Sequence, residues 1–135
     1  AMKTLTTTAT LALLAVAPLA SAHHSAVQFD FTKQVAYTGT VKEFKAINPH
    51  MQLVIEVKDA KGSHEVQFEG HSTNNMYRTG YRKGMVNVGD VITVNAAPLK
   101  SGVEGGYVTS ATTAKNEFFG MASRAAAHML VRSSD

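Results

Sequence analysis

Residues 51–84, MQLVIEVKDAKGSHEVQFEGHSTNNMYRTGYRKG, decide the fold. Met51, Leu53, Ile55 and Val57 occupy alternate positions, with Gln52 and Glu56 between them. A period of two is the mark of a strand with one buried face. Asp59-Ala60-Lys61-Gly62 supplies the residues of a hairpin turn. His64, Val66 and Phe68 then alternate with Glu65, Gln67 and Glu69, predicting a second strand paired to the first. Beyond Gly70 the alternation stops. Ser72 or Thr73 can cap a short helix, and Gly80 or Gly84 can end it.

Working outward, Val35 to Phe44 is rich in β-branched and aromatic residues and reads as an earlier strand. Gly39, in its middle, predicts a bulge or bend. Asn48-Pro49 is a turn signal. On the other side, Gly89 precedes a strand over Asp90 to Ala97, which Pro98 stops. Gly102 to Gly106 reads as a loop and Tyr107 to Thr113 as a fifth strand. Five strands with a helix between the third and fourth is the order of an OB-fold barrel. The predicted class is therefore mainly β, a single small five-stranded OB-like barrel over residues 23–115, with a small open sandwich as the alternative. From Asn116 onward, Phe118, Ala122, Ala125 and Met129 are spaced like one face of a helix, so residues 116–135 are expected to form a helical or partly ordered tail.

The N-terminus carries a different message. Lys3 gives a short positive region, Ala9 to Ala20 is an apolar run, and Ala20-Ser21-Ala22 has the small-x-small form of a cleavage site. A dozen apolar residues fall short of the ~20 that an ordinary membrane-spanning helix needs. Residues 1–22 are expected to be an export signal cut after Ala22, leaving a periplasmic or secreted chain that starts at His23 and has no transmembrane anchor.

Without Lys3 the balance is 12 basic against 10 acidic side chains, a net charge of +2. That is weakly basic, whereas a nucleic-acid surface normally shows a concentrated basic stripe, so an oligonucleotide-binding OB domain is the weakest of three readings. There is no cysteine, which rules out thiolate catalysis, cysteine-held metal centres and disulfides. No serine elbow, paired carboxylate frame or phosphate loop is present, and nothing in the chain argues for an enzyme.

Ala22-His23-His24-Ser25, Thr38-Gly39-Thr40-Val41, Asn48-Pro49-His50 and Gly89-Asp90-Val91 together resemble a group of exported bacterial proteins of unknown function with a small OB-like β-barrel. The resemblance covers roughly residues 22 to 113. Such relatives often carry tryptophan before the Asn-Pro-His and after the helix, where this chain has Lys45-Ala46-Ile47 and Tyr81. What the resemblance implies is location and fold, not activity.

Once the signal is cut, His23 offers a free α-amine and an imidazole. Amine and Nδ1 of one N-terminal histidine close a chelate ring, and a further imidazole completes an all-nitrogen, T-shaped set suited to Cu(II), a histidine brace. His24 offers a competing mode through the amine, its own amide and its imidazole. His50, after Pro49 at the start of a strand, and His71, between the third strand and the helix, are the candidate third ligands. His64 is expected to be half-buried near the hairpin end, and His128 lies in the tail. Arg78, Arg82 and Lys83 beside Tyr77 and Tyr81 are either an anion site or the solvated face of a surface helix. The expected functions are thus a non-catalytic binding barrel for a small ligand or periplasmic partner protein, or a copper protein built on His23, His24, His50 and His71.

Overall fold

The computed structural model describes residues 27–121. Its elements are β1 (Val35–Lys45), β2 (Gln52–Asp59), β3 (Gly62–Glu69), α1 (Thr73–Arg78), β4 (Val91–Pro98), β5 (Gly106–Thr112) and β6 (Phe118–Gly120). The strands form one sheet in the order β3-β2-β1-β4-β5-β6. A short parallel pairing of β3 with β5, Phe68 to Gly106 and Glu69 to Tyr107, closes five of them into a barrel. The expected OB-like order, with its helix between the third and fourth strands, is what the chain adopts.

Alternation along the strands explains the core. Leu53 and Ile55 on β2 face inward with Val41, Val66 and Val94, all essentially without exposure, while Gln52 stays in solvent. Met51 joins the core just ahead of β2, and Val57 is half-buried near the turn. Ser72 caps α1 by accepting from the Asn75 amide at 3.4 Å, and Asn48 adds a second cap by accepting from the Thr73 amide at 3.0 Å. α1 contributes Met76 to the core, and Tyr81 follows it inward against Phe44 and Phe119.

Gly39 is not itself a bulge. The register slips between Val41 and Glu43, two residues on. Gly39 is required because an added Cβ would overlap the Glu56 carbonyl oxygen of the neighbouring strand.

The stretch from Asn116 also differs from its helical expectation. Asn116 takes a left-handed φ of 60° in a turn closed by the Thr113 amide donating to the Glu117 carbonyl at 2.8 Å. Phe118–Gly120 then pair with β5 as a sixth strand. A strand edge and a pocket for the Phe119 ring outweigh helical spacing here, placing Phe119 5.4 Å from Tyr81. Ala122, Ala125, His128 and Met129 lie outside the described residues.

Ahead of β1, residues 28–31 form a strap on the barrel. Phe29 bridges to Leu99, the Asp30 amide donates to the Pro98 carbonyl, and the Lys100 amide donates to the Gln28 carbonyl, both at 2.8 Å. Among the described residues, no helix is long and apolar enough to cross a membrane.

Candidate functional site

The site follows from the register of one hairpin. β2 and β3 pair in unbroken antiparallel register from Asp59–Gly62 at the turn to Gln52–Glu69 at the far end. The ladder continues beyond the strands: Gly70 donates its amide to the Met51 carbonyl, and Met51 donates to the His71 carbonyl, both at 3.0 Å. Met51 thus bonds to both Gly70 and His71, so the register slips by one there, and His50 and His71 come together at the open end of the hairpin through their common contact with Tyr107. The β3–β5 closure brings Tyr107 beside them, since Tyr107 is the register partner of Glu69.

These three rings form one cluster. The His71 ring lies edge-on to Tyr107 at a centroid distance of 5.1 Å, and the His50 ring at 6.1 Å. His50 Nδ1 sits 3.1 Å from the Gly70 carbonyl oxygen. A carbonyl only accepts, so Nδ1 carries a proton and Nε2 is the nitrogen turned to other partners. His71 Nδ1 is 3.1 Å from the Tyr107 hydroxyl. Burial, and the neighbouring His50, push the His71 pKa below its ordinary value, which keeps that imidazole neutral at neutral pH. Burial, and then Glu69, push the Tyr107 phenol up, so its hydroxyl stays protonated. Neutral imidazoles are the metal-ligating form, and a ligating histidine commonly has its other ring nitrogen held by a carbonyl or a similar partner.

On the other side of Tyr107 stands the strap. Phe29 is buried against Ala97 and Tyr107, and the Phe29 and Phe31 rings meet the Tyr107 ring at 5.6 and 5.3 Å. Two ring contacts therefore connect the docked N-terminal segment to His71.

Of the four histidines expected to matter, the fold brings His50 and His71 together, and His23 and His24 lie outside the described residues. Tyr107 and Phe29 were not marked by the sequence. The alternation of Phe29 and Phe31 about Asp30 was the available signal for an extended docking segment.

The turn end of the same hairpin holds a different group. His64 is a half-buried histidine, as expected, with Nε2 2.6 Å from Glu104 and Nδ1 3.7 Å from Asp59. Nε2 is hydrogen-bonded to Glu104, while Asp59 lies beyond hydrogen-bond distance of Nδ1. The Arg82 guanidinium donates through Nη1 to the Tyr77 and Tyr81 carbonyls at 2.9 and 2.7 Å, at the C-terminal end of α1. A groove of about 720 Å³ crosses the outer side of β2 and β3 and reaches the strap at Gln28, Phe29 and Leu99; Glu43, Glu65, Glu69 and Glu104 stand in its lining.

No curated protein matches the chain. Among solved structures it is similar to the mitochondrial single-stranded DNA binding protein Rim1 of S. cerevisiae, at 11% identity and a TM-score of 0.47, over 60% of this chain and 92% of that one. It is also similar to the ZRD-deleted mutant of TiaS in complex with agmatine, at 18% identity and a TM-score of 0.44, over 68% of this chain and 23% of that one. The chain therefore spans about a quarter of the TiaS chain. The model of DUF6152, a family of unknown function, matches residues 11–109, and the chain belongs to that family.

Proposed function

We propose that this is an exported, non-catalytic binding barrel whose ligand is a copper ion, held by His50 and His71 together with the mature N-terminus. The observation that carries the reading is the convergence of His50 and His71 on Tyr107 at the hairpin end, with His50 held through Nδ1 by the Gly70 carbonyl and His71 contacted there by Tyr107. When Tyr107 accepts from His71 Nδ1, both Nε2 atoms carry lone pairs, and two such nitrogens suit Cu(II). After cleavage behind Ala22, the His23 amine and imidazole supply a chelate ring, with His24 as the competing donor.

The test is a competitive Cu(II) titration of protein that begins at His23. His50→Ala and His71→Ala should each weaken binding, and one residue added ahead of His23 should remove the amine–imidazole chelate while leaving every side chain in place. Affinity unchanged in both alanine variants would overturn the reading. Binding should also weaken as pH falls, because protons compete for the same nitrogens.

A second reading rests on the groove. Its four glutamates, on a chain of net charge +3, favour a cationic small ligand or partner and disfavour a phosphate backbone. Glu65→Lys would weaken capture of such a ligand and leave copper binding as it was.

A further inference from the structure

We infer that Asp59, His64 and Glu104 form a Zn(II) site at the turn end of the β2–β3 hairpin, a metal clasp between β3 and the loop that joins β4 to β5. It lies at the opposite end of the hairpin from His50 and His71 and does not depend on the copper reading. One ring nitrogen of His64 and one oxygen from each carboxylate all lie within 4.8 Å of one another. Around Zn(II), with ligands at about 2.1 Å, tetrahedral donor atoms stand about 3.4 Å apart, so a small closure completes the set. Asp59 and Glu104 are exposed side chains able to make that closure around the half-buried ring.

Each donor comes from a different piece of the chain and is placed there by the fold. Asp59 ends β2, where Oδ1 accepts from the Lys61 amide at 2.8 Å and Oδ2 lies 3.7 Å from His64 Nδ1. His64 stands on β3 opposite Val57. Glu104 reaches in from the β4–β5 loop, with Oε2 2.6 Å from His64 Nε2. That loop is already seated on β3: the Gly105 amide donates to the Tyr37 hydroxyl at 3.3 Å, and a Cβ at Gly105 would overlap the Gln67 carbonyl oxygen. The donor chemistry selects the ion. Two carboxylates attract a divalent cation, and the imidazole favours Zn(II) over Ca(II) and Mg(II), which take oxygen ligands. Glu65, in the same groove lining as Glu104, adds to the negative field. Among the described residues β3 pairs with β5 at Phe68 and Glu69 alone, so a metal at His64 would hold the barrel seam where strand pairing has ended.

The test is calorimetric titration of the protein with Zn(II), with melting temperature followed alongside. One equivalent of Zn(II) should bind, and Asp59→Asn, His64→Gln and Glu104→Gln should each weaken it by roughly a hundredfold or more, since losing even a supporting partner of a ligand can cost that much. Asp59→Asn keeps the oxygen that accepts from Lys61, and Glu104→Gln keeps an oxygen beside His64, so both variants retain the local fold and lose the charge. Zn(II) should raise the melting temperature of the wild type and leave that of the three variants nearly unchanged. Excess Ca(II) should not displace it. Absence of Zn(II) uptake, or an affinity unchanged in Asp59→Asn and Glu104→Gln, overturns the clasp. So does a Zn(II) equivalent that survives His64→Gln and is lost with His50→Ala or His71→Ala, which would place the ion at the other end of the hairpin.

Discussion

Replacing Ile55 with alanine probes the closed barrel where it is least able to adjust. Ile55 is fully buried and pairs with Val41 on one side and Val66 on the other. The substitution removes three buried carbons, each contributing roughly 0.8 kcal/mol of transfer free energy, or about 2.4 kcal/mol in all. A cavity contribution adds to this, because hydrogen-bonded neighbours on both sides prevent β2 from moving inward. The expected loss is therefore in the upper part of the usual range for such truncations, about 3–4 kcal/mol. For a domain of this size each kcal/mol lowers the melting temperature by roughly 4–8 °C. Gln52→Ala, on the solvent face of the same strand, should stay within about 0.5 kcal/mol. Equilibrium urea unfolding followed by circular dichroism compares the two. Equal midpoints would refute the inward and outward assignment of β2, and with it the β2–β3 register that carries His50 and His71 to one end of the hairpin.

Other outcomes follow from the same structure. Gly39→Ala should cost about 1–3 kcal/mol by urea unfolding, because its Cβ meets the Glu56 carbonyl; an unchanged midpoint would contradict the close approach. Within β6, Phe119→Ala should cost about 3–5 kcal/mol and Phe118→Ala, at an exposed site, far less, so equal effects would show that β6 is not docked. The lowered pKa of His71 means that the unfolded chain takes up a proton the fold resists, so its contribution to stability is present above the unfolded value of 6.5 and is lost as pH falls through the lowered folded value. Melting temperature should fall more steeply from pH 7 to pH 5 in the wild type than in His71→Gln, and identical slopes would remove His71 as a source of that dependence.

The barrel was legible because its strands are half-buried, so Leu53, Ile55, Val66 and Phe68 leave a period of two in the chain. Ser72 announced the helix by its chemistry. Gly39 was visible as a special residue, but its reason was not: a close approach to Glu56 belongs to the neighbouring strand. β6 left no period because three residues are too few to show one, and the left-handed turn at Asn116 is a property of the fold. His50 and His71 were visible as candidates, and the turn at Asp59-Ala60-Lys61-Gly62 carries both to the same end of the hairpin. Tyr107 was hidden because the parallel contact between β3 and β5 that delivers it exists only once the barrel closes. Phe29 left only its alternation with Phe31 about Asp30, because a single bridge is too short to show a longer pattern.

The most direct test of the copper site is a pulsed electron paramagnetic resonance measurement of Cu(II) bound to protein beginning at His23, resolving the coordinated imidazoles. Comparison with His50→Ala, with His71→Ala and with the free peptide of residues 23–30 assigns each signal to its source. The account predicts imidazole signals absent from the peptide spectrum, one lost with each substitution. A protein spectrum identical to that of the peptide, and unmoved by either substitution, would contradict it.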